Sequence, residues 1–273
     1  MAILTALSNL TTREFSSPSD LDRFRNRVDL LTLPSQRFPE YIAGFAVSDR
    51  LVEQALRLRF EIFNLELGEG LEESVVSGLD RDEFDDQMTH AVVLHRETGE
   101  PVGTYRLQTI PHALRNRGIY SAREFVLDPL EDLFPASVET GRACLAHDHR
   151  SMAGLLALWD AVAVFVRSHG CRYLFGCCSL TSTDPQDGRR AEETIRKEGY
   201  GHPVYRVGAT EPYRCIFPAD RSDPEAEGPF RLPRLFSIYT TFGAKVLSEP
   251  ALDREFGTID FLVMMDGANV SFV

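Results

Sequence analysis

The chain has 273 residues, 43% hydrophobic and 26% charged, which suits a globular protein with one large core or two small ones. Its net charge of −12 argues against generic binding to phosphate backbones, so no nucleic-acid partner is expected. No stretch approaches the ~20 consecutive apolar residues of a spanning helix, and the opening MAILTALSNLTTREF has neither a basic leader nor a long apolar block, so a cytoplasmic location is expected.

Residues 1–38 are polar and broken by SSPSD and LPSQRFPE, and read as an arm ahead of one domain at 39–273. YIAGFAVS reads as a strand. Ser48 or Asp49 then caps a helix, LVEQALRLRFEIFNLELG, closed by Gly68, whose Leu51, Ala55, Leu58 and Ile62 recur at helical spacing. HAVVLHRE, the turn TGE and PVGTYRLQTI form a hairpin. After a connector comes SVETGRACLA, a strand carrying charges among apolar residues. A long apolar helix follows at 150–170, ended by Gly170, and CRYLFGCCSL suits a central strand. The segment 183–231, rich in Pro, Gly and charge, reads as an insertion or lid with a short helix near AEETIRKEG. LPRLFSIYTTFGAKV reads as a helix and REFGTIDFLVMMD as a closing strand. This order predicts a mixed α/β (α+β) fold. Five cysteines without a C-x-x-C pair suit a reduced protein with buried thiols, a nucleophilic one remaining open.

Four groups carry candidate chemistry. Arg59 and Phe63 lie one turn apart on the first helix, where the plain alternative is a solvated Arg59 and a core Phe63. The acidic run from Asp80 to Asp86 lacks the spacing of a calcium loop, and no metal site is expected. Glu139 and Arg142 sit in a strand, where unpaired burial would be costly, so they pair with each other or face a cavity. Arg150, followed by small residues and a helix start, suits an anion.

These groups together resemble the GNAT acyltransferase superfamily. Its pyrophosphate loop is altered here, Arg150-Ser-Met-Ala-Gly154 having its Gly one place late, which matches the branch that takes long acyl chains from acyl carrier protein. Within that branch, Arg59 with Phe63, Asp82 with Asp85, Arg106, and Glu139 with Arg142 resemble the acyl-homoserine-lactone synthases. A longer ordered series resembles the bacterial ornithine-lipid type of amino-acid N-acyltransferase, often called hemolysin-like. It runs through DRDEFDDQMTH, VGTYRLQ, IYSAREF (with Ser121 and Glu124), ETGRACLAHDHRS, RYLFGCCSLTSTDP, LPRLFSIYTTFGA and REFGTIDFLVMMD. The basic residue those enzymes tend to carry after Leu-Pro is Ser237 or Thr240 here, which leaves the amino acid open.

The resemblance implies a GNAT-like fold with splayed central strands and a C-terminal extension, and transfer of a long, 3-hydroxylated acyl group from acyl carrier protein to an amino acid's α-amine. It implies no bound cofactor, the carrier's acyl-phosphopantetheine being a co-substrate. Glu139, and after it Asp85, would be the general base. Arg59, Phe63, Asp82, Arg106 and Arg142 would form the acceptor end. There Arg106 and Arg142 either hold the acceptor's carboxylate or brace the acidic loop. Amides near Cys144 and Leu145 would polarise the thioester carbonyl, and Arg150 to Gly154 would hold the pantetheine phosphate. Arg115, Arg117, Arg123 and Arg150 would meet the acidic carrier, and the lipidic product suggests contact with the inner membrane face. The alternatives are a signal synthase making an acyl lactone and an inactive carrier-binding protein.

Overall fold

A computed structural model describes residues 29–217 and 230–268. Nine strands form one sheet in the order β1-β2-β3-β4-β5-β6-β9-β7, with β8 also on β9. They are β1 (Leu30–Thr32), β2 (Tyr41–Ala46), β3 (Thr89–His95), β4 (Pro101–Thr109), β5 (Ser137–Leu145), β6 (Tyr173–Leu180), β7 (Lys245–Val246), β8 (Ala251–Asp253) and β9 (Thr258–Asp266). All pairs are antiparallel except β5–β6.

Alternation along the strands decides which helix covers which face. Ile42, Val92 and Leu94 pack under helix α1 (Asp49–Phe60) through Leu51 and Ala55. Their neighbours Tyr41, Ala43, Ala91 and Val93 pack with helix α2 (Met152–Ser168) through Ala157, Leu158, Ala161 and Val162. The caps are those the sequence predicts. Ser48 Oγ accepts from the Leu51 amide at 3.2 Å, and Gly68 and Gly170 close their helices with φ of 67° and 63°.

The sheet opens between β5 and β6. Only Ser137, Val138 and Glu139 pair with Tyr173, Leu174 and Phe175 before the strands part. Gly176 marks the crossing, because a Cβ there would overlap the Thr140 carbonyl oxygen. On its other flank β5 bulges, Arg142 and Ala143 together facing Tyr105 of β4, and Arg142 takes a φ of 54°.

Three expectations change. Leu30–Thr32 of the expected arm pairs with β2, while residues 1–28 lie outside the described residues. In the expected lid, the helix begins at Pro185 rather than near Ala191. This α3 (Pro185–Lys197) buries Ala191 and Ile195 against β9 and helix α4 (Arg234–Thr241), and Val207 and Ala209 join a further core cluster; 218–229 lie outside the described residues. Finally, the first helix changes pitch: Glu61–Glu66 is π-helical. Phe63 lies in this wider turn and Arg59 in the α-helical part before it.

Candidate active site

The opening between β5 and β6 leads into a cleft of about 410 Å³. Residues 140–145 of β5 line one wall and Cys177, Cys178 and Ser179 of β6 the other. Leu155, Leu158 and Trp159 of α2, with Leu235, Phe236 and Tyr239 of α4, make its apolar end. Trp159 stacks on Tyr239 at 5.8 Å, and the Tyr239 hydroxyl lies 3.2 Å from that of Tyr105.

Arg106, Arg142 and Phe63 line the opposite, polar end. The remaining acceptor residues stand behind them in a buried ion network. Arg59 is fully buried, its Nε donating to Asp80 at 2.7 Å and its Nη1 to Asp85 at 2.6 Å. Arg106 donates from Nη1 to Asp82 at 2.6 Å and to Asp85 at 3.2 Å. Arg142 reaches Asp80 at 3.2 Å and lies 4.0 Å above the Phe256 ring. Arg59 and Asp82 therefore brace the site and do not line the cleft. Arg106 and Arg142 brace the acidic loop too, yet they keep a face on the cleft. The Arg106 Nε, in a side chain only 1% exposed, has no hydrogen-bond partner.

Neither expected base can serve. Burial disfavours the charged form of Asp85, but the Arg59 and Arg106 guanidiniums outweigh it and hold the carboxyl far below its ordinary value. Asp82 is likewise held low, Arg106 and Arg142 overcoming its burial. Glu139 points away from the cleft. Its carboxylate accepts from Gln108 Nε2 and the Ser121 amide and hydroxyl, each at 2.7 Å, and from the Tyr120 amide at 3.0 Å. Every strong acceptor position is used, so Glu139 anchors the 120–123 turn under the site.

The donor end is partly as expected. Cys144, Leu145, Arg150, Ser151 and Met152 line the cleft, but Gly154 does not. The amides of Arg150, Ser151 and Gly154 already bond within the chain, Gly154 to the Ser151 hydroxyl at 3.1 Å. Burial pushes the Cys144 thiol up to about 12, which removes it as a nucleophile. Three of the four expected carrier-facing arginines are paired: Arg117 with Glu83, Arg123 with Glu255 and Arg150 with Glu66.

The sequence reading missed Asp260 of β9, a cleft residue 4% exposed. Asp260, Glu124 and Cys177 bring their acid atoms within 4.8 Å of one another. Burial, then the neighbouring Asp260 and Asp253 carboxyls, raise Glu124 well above its ordinary value, and burial raises Asp260. Burial, then the Glu124 and Asp260 carboxyls, push the Cys177 thiol well above its ordinary value. The three groups lie close enough to share protons. All three lie in motifs quoted above, IYSAREF, RYLFGCCSLTSTDP and REFGTIDFLVMMD, but only strand pairing brings Asp260 beside β6 from far along the chain.

An acetyltransferase (GNAT) domain model matches residues 58–160, from the last turn of α1 to the middle of α2. An L-ornithine Nα-acyltransferase from Rhodobacter capsulatus is 28% identical over 221 residues, 79% of this chain and 85% of its own length. Its namesake from Brucella abortus is 27% identical over 238 residues, covering 83% and 84%. That from Rhizobium meliloti is 30% identical over 177 residues, covering 62% and 59%. The GNAT domain and these relatives together support an N-acyltransferase. Among solved structures, an N-acyl amino acid synthase from uncultured soil microbes overlays with a TM-score of 0.48 at 11% identity, covering 85% of this N-acyltransferase and 93% of that chain. No helix of the N-acyltransferase among its described residues is long and apolar enough to cross a membrane.

Proposed function

We propose that this N-acyltransferase moves a long, 3-hydroxylated acyl group from the phosphopantetheine thioester of acyl carrier protein to the α-amine of a free amino acid. The product is an N-acyl amino acid or lyso-aminolipid. The observation that carries this reading is one cleft with an aromatic, apolar end and a buried arginine pair at the other. The apolar end suits a chain. The unpartnered Arg106 Nε, beside Arg142, suits the carboxylate of an amino acid, where the planar guanidinium gives direction as well as charge.

The thioester would lie along β5, whose backbone from Gly141 to Leu145 has no strand partner on the β6 side and can donate to the carbonyl oxygen. The pantetheine phosphate would meet Arg150 and the first turn of α2, with Met152 and Ala153 supplying the amides. The enzyme would work in the cytoplasm, meeting the inner membrane face through its product, with no bound cofactor. Ornithine is the first acceptor to test, since the relatives quoted above act on it by name.

Intact-mass spectrometry of 3-hydroxyacyl carrier protein, incubated with the enzyme and single amino acids, tests the reading. Return of the carrier to its free thiol with one amino acid only, together with the N-acyl product, is the expected result. Discharge with none, while the carrier still binds, would make this a carrier-binding protein.

A further inference from the structure

The amine of a free amino acid arrives as an ammonium, so the reaction needs a proton acceptor in the cleft. Glu139 and Asp85 are both committed elsewhere. Asp260 faces the same cleft as Arg106 and Arg142, and its Oδ1 has no hydrogen-bond partner. Behind it lies Glu124, 1% exposed, whose carboxyl hydrogen-bonds with that of Asp260, which Ser179 also reaches. Four acids converge here: Asp260 on β9, Glu124, Asp253 on β8 and Glu69 after α1. The Cys177 thiol of β6 donates to Glu124 Oε1 at 3.6 Å. Among the described residues no ion pair reaches any of these carboxyls. The cleft thus offers an unpartnered guanidinium nitrogen of Arg106 on one side and an unpartnered oxygen of Asp260 on another, the complement of a zwitterion.

Resting on the function proposed above, we propose that Asp260, with Glu124 behind it, receives the ammonium of the acceptor and takes its proton. The freed lone pair forms the C–N bond to the thioester carbonyl. Collapse breaks the C–S bond, and the leaving thiolate takes the second nitrogen proton, giving the amide and the carrier's free thiol. The first proton then passes from the carboxyl pair to solvent.

The test compares the wild-type enzyme with Asp260→Asn and Glu124→Gln, using 3-hydroxyacyl carrier protein as donor. The acceptors are ornithine and its α-aminooxy analogue, whose attacking nitrogen is uncharged at neutral pH. Asp260→Asn should lose about 10²–10³-fold in kcat with ornithine at pH 7 and recover as the pH rises. With the aminooxy acceptor it should stay within a few-fold of wild type. Equal loss with both acceptors at every pH, or no loss, overturns the assignment. Glu124→Gln, which puts an amide donor against Asp260, should move the acidic limb of the ornithine pH profile to lower pH. A limb that does not move removes Glu124 from the scheme, and this arm stands if Asp260→Asn does not fold. If wild type acylates neither acceptor, the proposed function falls first and this assignment with it.

Discussion

Glu139 and Asp260 are both buried carboxyls of one sheet, and their surroundings give them opposite roles. Glu139 is saturated by four donors. A Glu139→Gln variant presents an amide nitrogen to backbone donors and should cost about 2–3 kcal/mol in denaturant unfolding, while the folded fraction keeps its acyl transfer. Asp260 has its carboxyl raised by burial, and a carboxyl raised on folding stabilises only at low pH, its contribution lost as pH rises through the folded value. At neutral pH Asp260→Asn should therefore melt at or above the wild-type temperature even as it loses activity. Asp82 and Asp85 run the other way. Their folded values are depressed, so their stabilisation is present above the unfolded value of about 3.9 and drains away as pH falls below it. Thermal midpoints should hold from pH 6 to about 4 and fall from there toward pH 2. Arg59→Met, which leaves Asp80 and Asp85 buried without their shared partner, should cost about 3–5 kcal/mol at neutral pH. The charged residues were legible in the sequence as a set, but not their pairing. Arg59, Arg106 and Arg142 come from three elements, and only the fold shows that they spend their charge on the acidic loop.

At the scale of elements, periodicity made the six longer strands, both long helices and their caps readable, because each depends on neighbours in the chain; the short β1 fell in the expected arm, β7 in the tail of the expected helix LPRLFSIYTTFGAKV, and β8 went unread. The departures occur where tertiary contacts reset the backbone. The first helix turns π-helical at Glu61–Glu66, where the Phe63 ring meets Phe256 at 5.6 Å, while Arg59 pairs with the acids. The bulge at Arg142 and the crossing at Gly176 are equally silent in the sequence, since both record how one strand meets another. Gly176→Ala would push a methyl against the Thr140 carbonyl oxygen, and neither strand can retreat without breaking the three residue pairs beside it. A loss of about 1–3 kcal/mol is expected, read as a lower unfolding midpoint, with wider separation of β5 and β6 lowering donor affinity as well.

Across the whole molecule, the apolar end of the cleft closes on a wall of Tyr105, Trp159 and Tyr239. A second cavity of about 50 Å³ lies beyond, lined by the same three residues. Trp159→Ala should join the two spaces, shifting preference toward longer acyl donors in a mixed-donor competition. Loss of the stacked ring should cost about 3–5 kcal/mol. The parting of β5 from β6 has a consequence of another kind. A strand left unpaired on one flank, between apolar walls, is the sort of surface through which separate chains join. An acyl thioester lying along β5 would occupy that flank, so the donor would act as a guard against self-association as well as a substrate. On warming a concentrated solution, the empty enzyme should turn turbid at a temperature where the donor-loaded enzyme still stays clear.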